Sequence, residues 1–262
     1  MGRHVVVTGA SSGIGAALVA EFVRAGDRVT LVARRGARME ALRAEVLGKT
    51  QQFEVDLSRI DGALDFVPLA EQQFGPIDIL IHNAGAQFVE PAEEIDEETL
   101  QTMLRLNLVV PLLITRRILP GMLSRGSGTI VDISSIAGLA PTPGMWGYNA
   151  TKAGLGAASE SLRGELRNSG VHVVTVYPGP VDTAMARAGY AAYPDSLSVR
   201  LLPEGTPEEM ARRIREAVDL RKSRVIYPSF YVLLRYFPWV ARWLLDRMTP
   251  RPFSKNKKQS CE

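Results

Sequence analysis

Tyr148 and Lys152 are spaced i, i+4, which sets a phenol and an ammonium group on adjacent turns of one helix face. A nearby positive charge favours the phenolate, so a tyrosine in that company ionises more readily than an isolated one, whose pKa lies near ~10. Far upstream, Thr8-Gly9-Ala10-Ser11-Ser12-Gly13-Ile14-Gly15 follows the apolar run Val5-Val6-Val7. A glycine turn between a strand and a helix brings backbone N–H groups close to a phosphate and rests a pyrophosphate on the helix N-terminus. Together the two features describe a dinucleotide that carries hydride and a tyrosine that carries the proton.

Such groups need a frame that brings distant segments together. Apolar runs predict strands at about 4–8, 28–33, 51–55, 77–82, 128–133, 171–176 and 224–227. Between them, helices are predicted at about 14–25, 36–47, 60–74, 96–124, 147–168 and 207–220, with Gly26 and Gly170 as stop signals and Pro111 as a kink. Strict alternation implies a single α/β domain, a Rossmann-like doubly wound, seven-stranded parallel sheet with helices on both faces. That domain is expected over 1–227, with a substrate lid at about 184–206. An apolar, aromatic extension follows at 228–249. A basic tail at 250–262, rich in Pro, Lys, Asn and Ser, is expected to be mobile.

A chain of 262 residues is long enough to bury a large core, and 46% apolar with 23% charged residues fits a soluble protein. Cys261 is the one cysteine, which excludes an intrachain disulfide and fits a reducing, cytoplasmic compartment. Met1-Gly2-Arg3-His4 runs straight into the first predicted strand, so no leader peptide is expected, and Val6 breaks the N-myristoylation pattern. His4, His82 and His172 lie in or beside separate strands without ligand spacing, so no metal is expected. The net charge of +3 is uneven. Residues 221–262 carry ten Lys/Arg against Asp246 and Glu262, a balance of +8, which leaves −5 for the first 220. Basic charge gathered at one end suggests an anionic surface as partner, and no nucleic acid is expected.

At these residues the chain resembles the short-chain dehydrogenase/reductase family over residues 5 to about 227. Asn83-Ala84-Gly85 after a strand, Asn107 in a helical stretch, and Pro178-Gly179-Pro180-Val181-Asp182-Thr183 after the sixth strand appear in the family's order. Ser135 precedes Tyr148 by the family's thirteen residues (148 − 135 = 13), which selects it over Ser134. The resemblance implies a catalytic set of Asn107, Ser135, Tyr148 and Lys152. Tyr148 would be general acid or base, its phenol lowered by Lys152 and the nicotinamide ring. Ser135 would hold the substrate oxygen, and Lys152 would also grip the nicotinamide ribose. Asn107 would hold a water that links Lys152 to bulk solvent. Three of the four have a plain structural alternative: Tyr148 a buried aromatic, Ser135 a strand-end cap, Asn107 a kink residue near Pro111.

The resemblance also implies a cofactor site. Gly9, Ser11, Ser12, Gly13, Ile14 and Gly15 would form the phosphate turn, and Asp56 would bond the adenine amino group, cap the following turn, or do both. Asn83, Ala84 and Gly85 would pass the adenosine ribose, Asn83 mainly bracing the sheet, while His82 is structural with its imidazole near cofactor or solvent. Pro178, Gly179, Val181 and Thr183 would meet the nicotinamide end. Where NAD-preferring relatives carry Asp, this chain has Ala33, followed by Arg34 and Arg35. Arginine suits a ribose 2′-phosphate and a carboxylate suits a 2′-hydroxyl, so NADP(H) is expected over NAD(H), with Arg34 the first candidate and Arg35 the second.

On the substrate side, Met185, Tyr190, Tyr193, Leu197, Val199, Leu201 and Leu202 give an apolar lid, and Pro143, Met145 and Trp146 precede Tyr148. The pocket is expected to line itself with Ser135, Met145, Tyr148 and Met185 and to take a hydrophobic carbonyl or secondary alcohol of steroid, lipid or aromatic ketone type. A 3-oxoacyl-thioester reductase of fatty-acid type and a non-catalytic NADPH-binding regulator are the rival readings. Relatives in the family imply a homodimer or homotetramer. In 228–248, Pro238 divides two amphipathic segments, and Arg235, Arg242, Asp246 and Arg247 rule out a comfortable membrane span. Three readings stand for it: peripheral contact with a membrane surface through 228–258, packing over the pocket entrance, or a subunit contact.

Overall fold

The computed structural model describes residues 2–194 and 204–254. Seven parallel strands form one sheet in the order β3-β2-β1-β4-β5-β6-β7: β1 His4–Thr8, β2 Arg28–Ala33, β3 Thr50–Glu54, β4 Ile79–His82, β5 Gly128–Ile133, β6 Val171–Pro178 and β7 Arg224–Tyr227. Side chains alternate across each strand, so each face builds its own core. Val5 and Val7 join Leu31 and Val174 under α1 (Gly13–Arg24), α2 (Gly36–Glu45) and α8 (Pro207–Asp219). Val6 joins Val32, Leu80, Ile130 and Val173 under α3 (Phe66–Phe74) and α5 (Val110–Arg125), and α6 (Trp146–Glu165) covers the same side. The strand order reverses between β1 and β4, and the crevice beyond their carboxyl ends is where open α/β sheets bind ligands.

Two helices differ from expectation. The one predicted over 60–74 begins only at Phe66, because Gly62 adopts φ +79 and residues 57–65 form turns. The one predicted over 96–124 is divided into α4 (Glu97–Leu104), a wide π turn (Arg105–Val109) and α5. Asp96 caps α4 by accepting from Thr99 N at 2.8 Å. Pro111 is the second residue of α5 and has no N–H to offer the carbonyl of Asn107, four residues back. Glu97–Arg125 as a whole has the length and composition of a membrane span, but Met103, Leu106, Val110, Ile114, Ile118 and Met122 are buried.

The C-terminal region also differs. Pro238 does divide two helices, α9 (Val232–Tyr236) and α10 (Pro238–Met248), after a short 3₁₀ turn at Ser229–Tyr231, with α7 (Ala184–Tyr190) earlier in the chain. Residues 250–254 do not trail away as expected. Phe253 N donates to Ala192 O at 2.8 Å, Pro252 packs on Gly144, and Arg251 pairs with Glu93. The rest of the basic tail, with Lys255, Lys257, Lys258 and Cys261, lies outside the described residues.

Candidate active site

The glycine turn connects β1 to α1 at the crevice. Gly9 has φ +65, and a Cβ there would stand 2.8 Å from Ala84 Cα, so glycine is needed for both conformation and space. Gly15 is needed for contact alone: its Cβ would meet the Gly9 carbonyl at 2.2 Å. Thr8 and Asn83 fasten the turn to the neighbouring strand end. Asn83 Nδ2 donates to Thr8 O (3.0 Å) and Gly9 O (3.2 Å), while Thr8 Oγ1 accepts from Asn83 N and Ala84 N. A cradle that any side chain would fill, opening onto the first N–H groups of a helix, fits a pyrophosphate.

From this turn a cleft of about 1170 Å³ runs toward α6 and on to the C-terminal helices. Arg34, Arg35 and Arg38 line it beside the turn. Arg35 donates to Ser12 Oγ at 2.8 Å, and partial burial with repulsion from Arg38 and Arg34 lowers its pKa. Three mutually repelling guanidinium groups favour an anion between them. Arg38 escaped the sequence reading, although its place on the first turn of α2, i+3 and i+4 from the other two, was available as a signal. Asp56 turns away from the cleft. It lines the hollow beside Phe53 and Arg59, and its Oδ1 accepts from Ser58 N (3.0 Å) and Ser58 Oγ (2.7 Å), which caps the following turn as expected.

At the floor, Ser135, Tyr148 and Lys152 meet. Ser134 is occupied elsewhere, donating to Lys152 O at 2.6 Å and holding α6 on β5. Ser135 Oγ accepts from Ala137 N at 3.1 Å and is hydrogen-bonded to Tyr148. Lys152 Nζ stands 5.9 Å from the Tyr148 ring centre and donates to Ile133 O at 2.8 Å. Burial pushes the Tyr148 phenol above its usual value despite the Ser135 bond. The lowering expected of Lys152 was to act together with the nicotinamide ring; within the protein alone, burial sets the direction. Burial brings Lys152 down to about 8, against the pull of Asp132, and Asp132 is itself pushed up to about 6 by burial.

Asn107 lies behind this cluster in the π turn, fully buried. Its Oδ1 accepts from Ala86 N (2.8 Å), and its Nδ2 donates to Ala86 O (2.9 Å) and Thr151 Oγ1 (3.1 Å). These bonds leave the side chain satisfied and join the segment after β4 to α6. His82 is not near solvent, as expected, but buried on the α5 side, with Nε2 against Thr115 Oγ1 at 2.9 Å. Desolvation lowers it to about 3, so it stays neutral.

The other wall is apolar. Met145, Met185, Tyr190 and Tyr193 line it, and Tyr193 donates to Pro143 O at 2.6 Å, tying the end of α7 to the loop before Tyr148. Pro143 and Trp146 do not line the cleft, contrary to expectation. Trp146 is two residues before Tyr148 on a helix, about 200° around the axis, and so faces away. Leu197, Val199, Leu201 and Leu202 fall outside the described residues. Pro178, Gly179, Val181 and Thr183 complete the wall, with Thr183 Oγ1 accepting from Ala186 N at the start of α7. Phe230, Tyr231, Leu245 and Met248 also line the cleft. These side chains bring the C-terminal segment to the wall of the cleft.

The family model described as short chain dehydrogenase matches residues 3–193. A short chain dehydrogenase of Pseudocercospora fijiensis is 35% identical over 189 residues, 70% of this chain and 61% of that protein, so this chain spans less than two thirds of its length. A very-long-chain 3-oxoacyl-CoA reductase of Anas platyrhynchos is 32% identical over 234 residues, 85% of this chain and 71% of that one. A solved metagenomic short-chain oxidoreductase in complex with NADP superposes with a TM-score of 0.71 at 29% identity, covering 86% of this chain and 95% of that chain.

Proposed function

Since the chain belongs to the short-chain dehydrogenase family of oxidoreductases, we propose that it interconverts a carbonyl and a secondary alcohol on a hydrophobic small molecule with NADP(H). The observation that carries this reading is the meeting of Ser135, Tyr148 and Lys152 at the floor of a cleft that begins at the glycine turn. The nicotinamide, when bound, supplies or removes the hydride. The chain's own groups handle orientation and the proton. Ser135 presents its hydroxyl to the substrate oxygen, an interaction now made with Tyr148. Tyr148 gives its proton to that oxygen in reduction and takes it in oxidation. Lys152 holds a positive charge beside the phenol below pH 8 or so, offsetting the cost of a buried phenolate. Pro111 removes the i+4 donor of the Asn107 carbonyl, which fits a water there that resupplies the proton.

The convergence of Arg34, Arg35 and Arg38 supports the 2′-phosphorylated cofactor, as does the structural neighbour's complex with NADP. A carbonyl on a long acyl thioester is the second reading. The 3-oxoacyl-CoA reductase relative favours it, and so does an apolar cleft that continues past Met185 to Leu245 and Met248. A panel of apolar ketones and 3-oxoacyl thioesters with NADPH separates the two. Turnover of ketones alone supports the first, and turnover of thioesters alone supports the second. A homo-oligomer in the cytoplasm completes the proposal, checked by light scattering of purified protein and by cell fractionation.

A further inference from the structure

The C-terminal helices have two contrasting sides. Inward, Tyr231 is buried against Gly179, where a Cβ would meet its ring at 2.7 Å, and Leu245 and Met248 line the cleft. Outward, Trp239 is 72% exposed, Tyr236 70% and Trp243 60%, with Leu233 and Phe237 each more than half exposed. Trp239 and Trp243 are one helical turn apart, and Arg242 is exposed beside them. A protein that lives wholly in water rarely shows so many large apolar groups in one short segment.

The chemistry of this side selects its partner. Tryptophan and tyrosine put an apolar ring and a polar edge at the level of lipid headgroups, and arginine among them reaches the phosphates. The charge agrees: residues 221–262 carry +8 while the remainder carries −5, so the attraction to an anionic surface is local to this end. The position agrees as well. Phe230 and Met248 are 63% and 55% exposed and yet line the cleft, which places its rim at the edge of the aromatic side.

We propose that residues 229–248 dock on an anionic phospholipid surface, with Tyr236, Trp239 and Trp243 seated among the headgroups and the rim of the cleft turned toward the lipid. An apolar substrate dissolved in the leaflet then enters the cleft without crossing water. That last step rests on the hydrophobic-substrate reading; the docking does not.

The test is flotation of the full chain with vesicles of phosphatidylcholine alone or mixed with phosphatidylglycerol. The wild type rises with the mixed vesicles and much less with the neutral ones, and added salt weakens the association. Joint replacement of Trp239→Ala and Trp243→Ala reduces the bound fraction roughly tenfold, as does Arg242→Glu with Arg247→Glu. Both variants keep the wild-type far-UV circular dichroism and melting temperature, which shows that they fold. A wild type that stays at the bottom of the gradient overturns the proposal, and so does flotation that both variants retain. Conversion of an oligomer to monomers by the tryptophan changes, with no vesicle binding by the wild type, overturns it in favour of a second copy of the chain. Flotation needs no turnover, so failure of the enzymatic reading leaves this result separately readable.

Discussion

Lys152 Nζ donates to the carbonyl of Ile133 at 2.8 Å, which fixes the ammonium at the end of β5 next to the buried carboxyl of Asp132. Asp132 is hydrogen-bonded to Ser159, whose hydroxyl meets Thr175 Oγ1 at 2.9 Å. A buried acid on the sheet side of the lysine thus works against the desolvation that lowers it. Burial alone draws Lys152 toward neutrality, and the ionised carboxylate draws it back toward charge.

The pH dependence follows from those directions. Lys152 is charged below about 8 and loses its proton as pH rises through that value, taking away the support for the Tyr148 phenolate. The kcat/KM for reduction therefore falls on the alkaline side. Asp132 ionises above about 6, so it is charged where this limb lies. Asp132→Asn removes the attraction and moves the alkaline limb to lower pH, while NADPH affinity at pH 6 changes little. Superimposable pH–rate profiles for the two proteins would contradict this coupling.

In the proposed reading, Arg34, Arg35 and Arg38, which line the cleft together, choose the cofactor. Replacing Arg35 with alanine removes a charge-assisted partner of the 2′-phosphate and is expected to raise the KM for NADPH about tenfold, leaving the KM for NADH nearly unchanged. Arg34→Ala acts in the same direction. Equal effects on both cofactors would mean that these arginines do not read the phosphate.

Gly15→Ala tests the turn itself. The added methyl would stand 2.2 Å from the Gly9 carbonyl, so α1 must move off β1. The expected cost is about 1–3 kcal/mol in thermal or denaturant unfolding, together with weaker binding of NADPH and NADH alike. A variant with wild-type stability and affinity would show that the contact relaxes freely.

Tyr193→Phe removes the bond to Pro143 O and frees the end of α7 from the loop before α6. One hydrogen bond is worth about 1 kcal/mol, so the substrate KM should rise several-fold with kcat little affected. A change confined to kcat would instead assign Tyr193 a part in the chemistry.

Much of this was legible in the chain because it is local. The glycine turn, the Tyr148–Lys152 spacing and the strand–helix alternation are short-range patterns, and all seven strands lie within two residues of their expected positions. What escaped depends on distant contacts or on competing terms. Trp146 faces out because of helix phase. The direction of the Tyr148 shift depends on how deeply α6 buries it, which no spacing reveals. Residues 250–254 read as a tail, but Pro252 and Phe253 find Gly144 and Ala192 more than fifty residues away.

In the proposed reaction Tyr148 moves the proton of a reduction driven by NADPH. The direct measurement is NADPH consumption across apolar ketones and 3-oxoacyl thioesters by wild type and Tyr148→Phe, alongside NADPH binding to both. Turnover by the wild type, a loss of at least ~100-fold in the variant, and equal cofactor binding are expected. Turnover retained by Tyr148→Phe would contradict the mechanism, and a wild type that binds NADPH but consumes none on any substrate would contradict the assignment as a reductase of this class.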